Sequence, residues 1–200
     1  MKDFYQKYKG NIHADFPLKI DDPLFKLKER YKDLEFVSGF GPLNSKIMFV
    51  GLCPYDEELK ASKPFAGKRE EKLHGIIKYL SRKLQLYNNI YYTLISWVPM
   101  KNDDLEKELD RLKEEIETVN PKNIIVFGLN TAEYMLKKWG PPMNKSAIPS
   151  FIKLNKVYPI YITSSLVELV LKNSETKEKV KIDLDFFISE QKISEKKRSE

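Results

Sequence analysis

The sequence KIMFVGLCPYDEELKASKPFAG, residues 46–67, decides how the rest of this chain is interpreted. Residues 46–52 form an apolar run that is typical of a buried strand, and a proline turn, an acidic segment and a Pro-Phe-Ala-Gly corner follow it. Parallel sheets bind ligands outside the carboxyl ends of their strands, which is where this turn lies if the run is a strand. The stretch therefore predicts either the entrance of a working enzyme site or a site that keeps its fold without its chemistry.

Three further apolar runs, rich in β-branched and aromatic residues, have the character of buried strands: 89–98, 123–129 and 157–163. Leucine and isoleucine recur at helical spacing in both intervals between the first three runs, with charged residues between them. Strands that alternate with helices in this way form parallel sheets through right-handed crossovers. We therefore expect an α/β fold, with three α/β/α layers around a central four-stranded parallel sheet.

Two more helices are predicted in the carboxyl-terminal part of the chain. The first begins at Asn130 or Thr131, either of which is suited to cap it, and ends before Gly140. The second covers roughly residues 165–187, where apolar residues again recur at helical spacing.

The composition limits the domain organisation and the class of partner. The 200 residues, 42% of them apolar, suffice for one compact domain, which we place at 36–188. A basic and aromatic helical extension (1–35) is expected to pack on this domain, and a charged tail (189–200) is expected to be disordered. The net charge of +6 favours a polyanionic partner such as DNA.

Cysteine content and hydropathy bear on the location of the protein. Cys53 is the only cysteine, so neither an intramolecular disulfide nor a cysteine-built metal centre can form, which fits a reducing intracellular compartment. No apolar run approaches the roughly 20 residues that a helix needs to span a bilayer, and residues 1–16 lack the apolar core of a secretory signal. We expect a cytoplasmic protein without membrane contact.

The layout of residues 46–67 resembles the first motif of the iron-sulphur (family four) uracil-DNA glycosylases. In that family a strand leads into Gly-Glu-Ala-Pro-Gly, a glutamate follows, and Pro-Phe-Val-Gly comes after it. Six residues of this chain fall into that frame without a gap: Gly51, Pro54, Glu58, Pro64, Phe65 and Gly67. Residues 37–51, 119–136 and 172–184 are also similar to segments of the family, so the resemblance covers roughly residues 24–187 and implies the uracil-DNA glycosylase fold.

The resemblance also shows where this chain departs from the chemistry of the family. Leu52 stands where the family has an acidic residue within reach of the attacking water, and Leu94 corresponds to the asparagine that reads the pyrimidine edge. The loop ITSSLVELV, after the fourth predicted strand, lacks the histidine that stabilises charge on the departing base. Leucine can neither orient water nor hydrogen-bond uracil, so these changes predict a site without glycosylase activity.

The iron-sulphur cluster of the family is expected to be absent as well. Its four cysteines have no counterparts, since the corresponding positions fall near Leu24, Leu27, Val98 and Glu108. We therefore predict that apolar packing replaces the metal and that the chain needs no cofactor.

Two functional positions of the first motif keep their residue types. Phe65 stands where the family stacks the base, although it is equally well interpreted as a core aromatic residue. Glu58 stands where an acid faces the base, and its alternative interpretation is a solvated carboxylate in an acidic run. Tyr55 replaces a glycine of the family and could fill the pocket from inside. Cys53 is best interpreted as a small buried residue, because no base nearby would lower its pKa.

A second set of residues is a candidate DNA-binding loop. Relatives bind phosphate and insert a wedge into the duplex in the region of 164–166, through hydroxyl groups and backbone N–H groups at a helix start. The alternative is a helix N-cap at Ser165, with Glu168 completing a capping box. The candidate DNA-contacting residues are Gly67, Lys68, Ser164, Ser165 and Leu166.

The helix after residue 67 carries a run of basic residues that has two interpretations. It is either an ordinary solvated face, because acidic residues alternate with the basic ones, or a nucleic-acid contact that converges with the loop at 164–166. His13 and His74 are expected to be surface or structural histidines. The basic residues are Lys68, Arg69, Lys72, Lys78, Arg82 and Lys83.

Three functions remain after this reading of the residues. The first is a catalytically inactive protein of the glycosylase fold that binds DNA, a DNA polymerase or another replication or repair protein as an accessory factor. The second is an active uracil-DNA glycosylase that uses displaced residues, such as Glu58 together with Asp56 or Glu57. The third is a protein-interaction module without nucleic-acid contact.

Overall fold

The computed structural model describes residues 23–84, 89–100, 105–142, 150–171 and 174–199, with the backbone alone for 194–199. The helices of this part of the chain are α1 (Phe25–Glu29), α2 (Asp56–Ala61), α3 (Lys68–Leu84), α4 (Leu105–Val119), α5 (Leu129–Trp139), α6 (Leu166–Leu171) and α7 (Ser174–Ser199). The strands are β1 (Ile47–Gly51), β2 (Ile90–Leu94), β3 (Asn123–Phe127), β4 (Ser150–Lys153) and β5 (Val157–Thr163).

The strands form one sheet in the order β2-β1-β3-β5-β4. β1 lies between β2 and β3 and is parallel to both, and β5 is parallel to β3. β4 is a fifth strand that the sequence did not predict, and it pairs antiparallel with β5. It has only four residues, which is too short for a periodic pattern, and it is ordered by its hairpin with β5. The sheet is therefore mixed, with four parallel strands and one antiparallel edge strand.

The three-layer arrangement predicted from the sequence is confirmed. One apolar cluster includes Trp97, Leu112 and Met135 and joins the sheet to α1, α4 and α5. The second includes Leu80 and Phe187 and joins the opposite face of the sheet to α2, α3, α6 and α7. β1 and β3 are buried at every position, which explains why their sequences are apolar throughout rather than alternating.

The helix α5 begins at Leu129, one or two residues earlier than predicted. Its N-cap is Gly128, and neither Asn130 nor Thr131 caps it. Gly128 has a φ of +100°, a conformation that glycine adopts without steric cost. The hydroxyl of Thr131 instead donates to the carbonyl of Phe127. The turn from β3 into α5 thus depends on the conformation of Gly128, which the side-chain preferences of helix caps do not predict.

The segment predicted as a single helix near 165–187 contains two helices, α6 and α7. Ser165 and Glu168 form the predicted capping box, since each side chain accepts from the backbone N–H of the other at 3.1 Å. α7 continues to Ser199, through residues whose composition predicts disorder. Glutamate, lysine and arginine have high helix propensity, so a helix anchored by packing further upstream extends into them.

None of the helices in the part of the chain that the structure describes combines the length and the apolarity needed to cross a bilayer.

Candidate functional site

The turn after β1 lies at the carboxyl edge of the sheet, and Gly51, the last residue of β1, leads into it. A Cβ atom on Gly51 would lie 2.7 Å from Cε1 of Phe65 and 2.8 Å from Cδ2 of Leu94. The two side chains therefore pack directly on the backbone of Gly51. Glycine is required at this position because any larger residue would displace one of them.

Phe65 is a core residue in this structure. Its side chain is 1% exposed, and its ring lies edge-on to the ring of Phe127 with 5.8 Å between centroids. Its φ of +61° is unusual for a bulky residue and reflects the tight corner that brings the ring inward. Phe127 and the backbone of Gly51 both lie close to the ring, which limits the space in which a nucleobase could stack on it.

Glu58 holds this corner together from inside. It is fully buried, and its carboxylate accepts the backbone N–H of Tyr55 at 2.8 Å and that of Phe65 at 2.5 Å. It also forms an ion pair with Arg69 at the start of α3. The interpretation of Glu58 as a solvated carboxylate is therefore wrong. Each of its oxygens is engaged by donors of the corner, which leaves the group poorly placed to activate a water.

Tyr55 lies on the surface above this corner and does not fill a pocket from inside. Tyr55 is 52% exposed, and the guanidinium of Arg69 lies 4.2 Å from the centroid of its ring. Burial lowers the pKa of the Arg69 guanidinium, but arginine starts so high that it stays charged. The packing of Leu94 and Phe65 against Gly51, rather than the tyrosine, closes this end of the sheet.

Leu52 and Cys53 follow Gly51 and are both partly buried. Leu52 packs against the cluster on the α4 side of the sheet. Burial raises the pKa of the Cys53 thiol, and the smaller opposing effects of the Met100 backbone and of Arg69 do not offset it. A thiol held in its neutral form is a poor nucleophile, in agreement with a packing role for Cys53.

A buried ionic network closes the end of β2. Arg111, 2% exposed, donates to the carbonyl of Leu94 at 2.7 Å and to that of Ile95 at 2.5 Å. It forms ion pairs with Glu108 and Glu115 on the same helix. These interactions end β2 at Leu94, earlier than the apolar run to residue 98 predicted.

Further partners satisfy the two carboxylates of this network. Glu115 accepts the hydroxyl groups of Tyr91 and Thr93, both at 2.8 Å. The guanidinium of Arg111 lies 4.4 Å from the ring centroid of Trp97. Apolar periodicity does not predict this network, because charged residues between the apolar positions of a helix usually form its solvent face. The available signal was spacing, since positions 108, 111 and 115 fall on the same helix face as Leu112.

The residues at the positions of the family's cluster cysteines do not fit an iron-sulphur centre. Leu24 and Leu27 are buried, and neither side chain offers an atom that binds iron. Glu108 accepts the hydroxyl of Tyr31 at 2.6 Å and the backbone N–H of Trp97 at 3.0 Å. Within the described ranges, no group of three or more histidine, cysteine, aspartate or glutamate residues could hold a metal. Aromatic packing and the Arg111 network occupy this region, so the packing is not purely apolar as predicted.

The loop after β5 differs from its predicted role as a wedge. Leu166 is buried and packs in the cluster beneath α3, α6 and α7, so it is not presented to a duplex. Ser164 is buried too, whereas Ser165 is partly exposed and caps α6. The Cβ of Ser165 lies 3.2 Å from the position of a Cβ on Gly128, which places this loop beside the start of α5.

The remaining predicted residues lie at the amino end of α3. Gly67 has a φ of +73°, and Lys68 is exposed and donates its backbone N–H to Glu57 at 3.1 Å. His74 is on the surface, 3.9 Å from Glu70, and His13 lies outside the described residues. The structure thus brings the residues of the first motif together near Gly51. The loop at 164–166 follows β5, which β3 separates from β1 in the sheet.

The space beside Phe65 is too small for a base. A pocket of about 20 Å³ adjoins its ring, and that volume accommodates about one water molecule. Its lining is Phe40, Lys63, Pro64, Phe65, Glu70, Leu73 and Tyr92.

The fold and the corner after β1 define an α/β domain of the glycosylase type, and the chain belongs to the Uracil DNA glycosylase superfamily, whose family model matches residues 38–185. The chain is 32% identical over 115 residues to a type-4 uracil-DNA glycosylase of Saccharolobus solfataricus, a match that covers 54% of this chain and 51% of the relative. It is 30% identical over 115 residues to a type-4 uracil-DNA glycosylase of Sulfurisphaera tokodaii, covering 52% and 49%. The chain thus spans about half the length of the curated relatives that it matches.

Proposed function

We propose that this chain is a DNA-binding member of its superfamily that does not excise uracil and that serves as an accessory factor in DNA repair or replication. The observation that carries this proposal is the packing of Phe65 and Leu94 against the backbone of Gly51. Neither of these two side chains has a group that could hydrogen-bond an extruded base.

The state of the carboxylates supports the same conclusion. Leu52 offers no group to orient a water, and Glu58 is engaged by Tyr55, Phe65 and Arg69. Hydrolysis of a glycosidic bond needs a group that positions water and stabilises the cationic sugar. Glu58 is unsuited to that task in this arrangement, which weighs against a glycosylase with displaced catalytic residues.

DNA is the partner that the family relationship and the charge favour together. The two relatives are by name uracil-DNA glycosylases, and this chain carries a net charge of +6. Loss of excision chemistry removes the need for a pocket but not for contacts with the phosphate backbone. The proposal includes a cytoplasmic location, and a DNA polymerase or another replication or repair protein is its second proposed partner.

A uracil-excision assay on single- and double-stranded oligonucleotides tests the catalytic part of the proposal. The type-4 enzyme of Saccharolobus solfataricus serves as the positive control. We expect no excision by this chain above background, together with DNA binding whose log affinity falls linearly with log salt. Excision by the wild-type chain that Glu58→Gln abolishes, with the variant still folded, would support the active-glycosylase alternative instead.

The accessory role is tested separately, by purifying the native protein and identifying the proteins that accompany it. That role is supported if a polymerase or repair protein is recovered and stays associated with the chain after nuclease treatment. If the chain neither excises uracil nor binds DNA, but a protein partner is recovered, the chain is better explained as a protein-interaction module.

A further inference from the structure

The exposed face of α3 carries a row of cations. Lys68, Lys72, Lys78 and Arg82 follow one another, with Gly75 in the middle, at intervals of three or four residues. That spacing places all five on one side of a helix. Lys68, Lys78 and Arg82 are exposed and Lys72 is partly so. The row extends over about 21 Å along the helix axis.

Gly75 has no packing reason to be glycine. No atom lies within 4 Å of the position that its Cβ would occupy, and the residue is exposed. Glycine inside a helix destabilises it relative to alanine, so its presence here is a cost to the isolated domain. A helix position without a side chain allows the backbone of a partner to approach the helix closely.

Acidic residues lie on this face and around its border. Glu71 lies on the face, 3.9 Å from Lys72. Asp185 of α7 accepts the hydroxyl of Tyr79 at the border of the face. Glu70 is turned toward Lys63, to which it is ion-paired at 2.5 Å. Glu57 accepts the backbone N–H of Lys68 at 3.1 Å, and Glu178 of α7 acts electrostatically on Tyr79. The four cations therefore meet one acid on the face itself, Glu71, and three acids around it.

The position of α3 makes this face available at the candidate site. The helix starts directly after the corner that Glu58 holds together, at the carboxyl edge of the sheet. Its opposite side, which includes Leu73, Ile76 and Leu80, is buried in the core. α3 packs against α6, whose first turn follows the loop at 164–166.

We propose that the α3 face formed by Lys68, Lys72, Gly75, Lys78 and Arg82 is the surface that binds the phosphate backbone of DNA, with Gly75 at the point of closest approach. This inference deepens the proposed function and rests on its DNA-binding part. The cations supply charge complementarity along the row, and the missing side chain at its centre removes the obstacle to contact.

The first experiment compares two double variants that change the charge equally. Lys72→Gln/Lys78→Gln alters the α3 face, whereas Lys122→Gln/Lys137→Gln alters exposed lysines elsewhere. Binding to a duplex and to a single-stranded oligonucleotide is titrated against salt for both variants and the wild type. We expect the slope of log affinity on log salt to become shallower by about two for the α3 variant only. Equal slopes for the two variants would overturn the proposal.

The second experiment uses Gly75→Ala, for which the structural and binding roles predict different results. The helix gains propensity and nothing obstructs the new methyl group, so Tm should rise by about 2–4 °C. Affinity for DNA should nevertheless fall severalfold, because the methyl group holds the phosphate backbone away. An increase in Tm without any loss of affinity would contradict close approach at this point.

The outcomes also separate this proposal from the proposed function. If the wild-type chain fails to bind DNA at any salt concentration, the proposed function itself is wrong. If the wild type binds and the α3 variants bind as the control variant does, only the assignment of the surface is wrong.

Discussion

At the scale of single residues, Glu58 shows how buried partners give a carboxylate of the first motif a structural role. Three donors surround it: the backbone N–H groups of Tyr55 and Phe65 and the guanidinium of Arg69. These donors belong to three successive segments, so the carboxylate fixes the turn after β1 against the start of α3. Its position in the motif is preserved while its surroundings leave it little chemistry to perform.

The variant Glu58→Gln tests that structural role. It leaves the Arg69 charge buried without its partner, and we expect a loss of about 3–5 kcal/mol in the free energy of unfolding. Urea denaturation monitored by circular dichroism measures the loss. Asp56→Asn, which changes an exposed carboxylate two residues away, is the control and should alter stability by less than about 1 kcal/mol. Similar midpoints for the two variants would show that Glu58 is not the anchor of this corner.

At the scale of secondary-structure elements, the contacts of α4 with β2 determine where the strand ends. Arg111 donates to the carbonyls of Leu94 and Ile95, at the point where β2 ends. Glu108 and Glu115 balance the buried charge and connect it to Tyr31, Tyr91 and Thr93. The network thus fixes α1, β2 and α4 relative to one another beside the Leu94 position.

Replacing Arg111 by methionine is expected to destabilise the fold by about 3–5 kcal/mol, because two buried carboxylates and two carbonyl groups lose their shared donor. Lys113→Met on the exposed side of α4 is the matched control, with an expected change within about 0.5 kcal/mol. Thermal and urea unfolding of both variants measure the change in the free energy of unfolding. A small effect at Arg111 would mean that the carboxylates readily become neutral and that the network contributes little.

The contact between α7 and β5 predicts a dependence of stability on pH. Burial raises the pKa of Asp183 above its ordinary value of 3.8, with smaller opposing effects of Thr163 and Lys179. A raised pKa in the folded state means that this group contributes stability below its ordinary pKa, and that the contribution is lost as the pH rises through the raised value.

Asp183→Asn removes that loss. The variant should therefore be more stable than the wild type at pH 7, and the difference should shrink as the pH falls toward 4. The measurement is the difference in Tm across this pH range, with Glu178→Gln, an exposed carboxylate on the same helix, as control. A constant difference at all pH values would show that Asp183 does not titrate abnormally.

At the scale of the whole molecule, the fold is built from packing in the region where the family resemblance implies a metal cluster. Leu24, Leu27 and Trp97 lie in one apolar cluster with Tyr31, whose ring centroid is 5.3 Å from that of Trp97. Aromatic pairs of this kind add to the stability that burial alone provides. Apolar and aromatic packing therefore joins the α1 segment to the loop after β2 in this region.

The expected result is a protein that folds without iron. Purified chain should show no absorbance near the wavelengths where iron-sulphur clusters absorb, and its Tm should be the same with and without a strong chelator. The type-4 relative of Sulfurisphaera tokodaii, purified in parallel, provides the comparison. Stoichiometric iron in this chain, or a chelator-dependent Tm, would contradict the packing observed around Leu24.

Much of the fold could be predicted because the burial of a strand or helix is reflected in the pattern of apolar residues along its own sequence. The runs at 46–52 and 123–129 predicted β1 and β3 to within two residues, and Ser165 with Glu168 predicted the cap of α6. β4 was missed because a four-residue edge strand has no pattern of its own. The wedge role of Leu166 was wrong, since a residue that follows an N-cap faces whichever side the helix packs on.

The sequence by itself determined the three-layer domain, the aliphatic residues at Leu52 and Leu94, and the single cysteine. Only the tertiary structure decided that Glu58 is buried beneath Arg69, that Tyr55 is exposed, and that Arg111 closes the end of β2. The physical reason is the range of the interactions. Apolar periodicity reflects the burial of a residue's own element, whereas the partners of a polar group come from segments that only folding brings together.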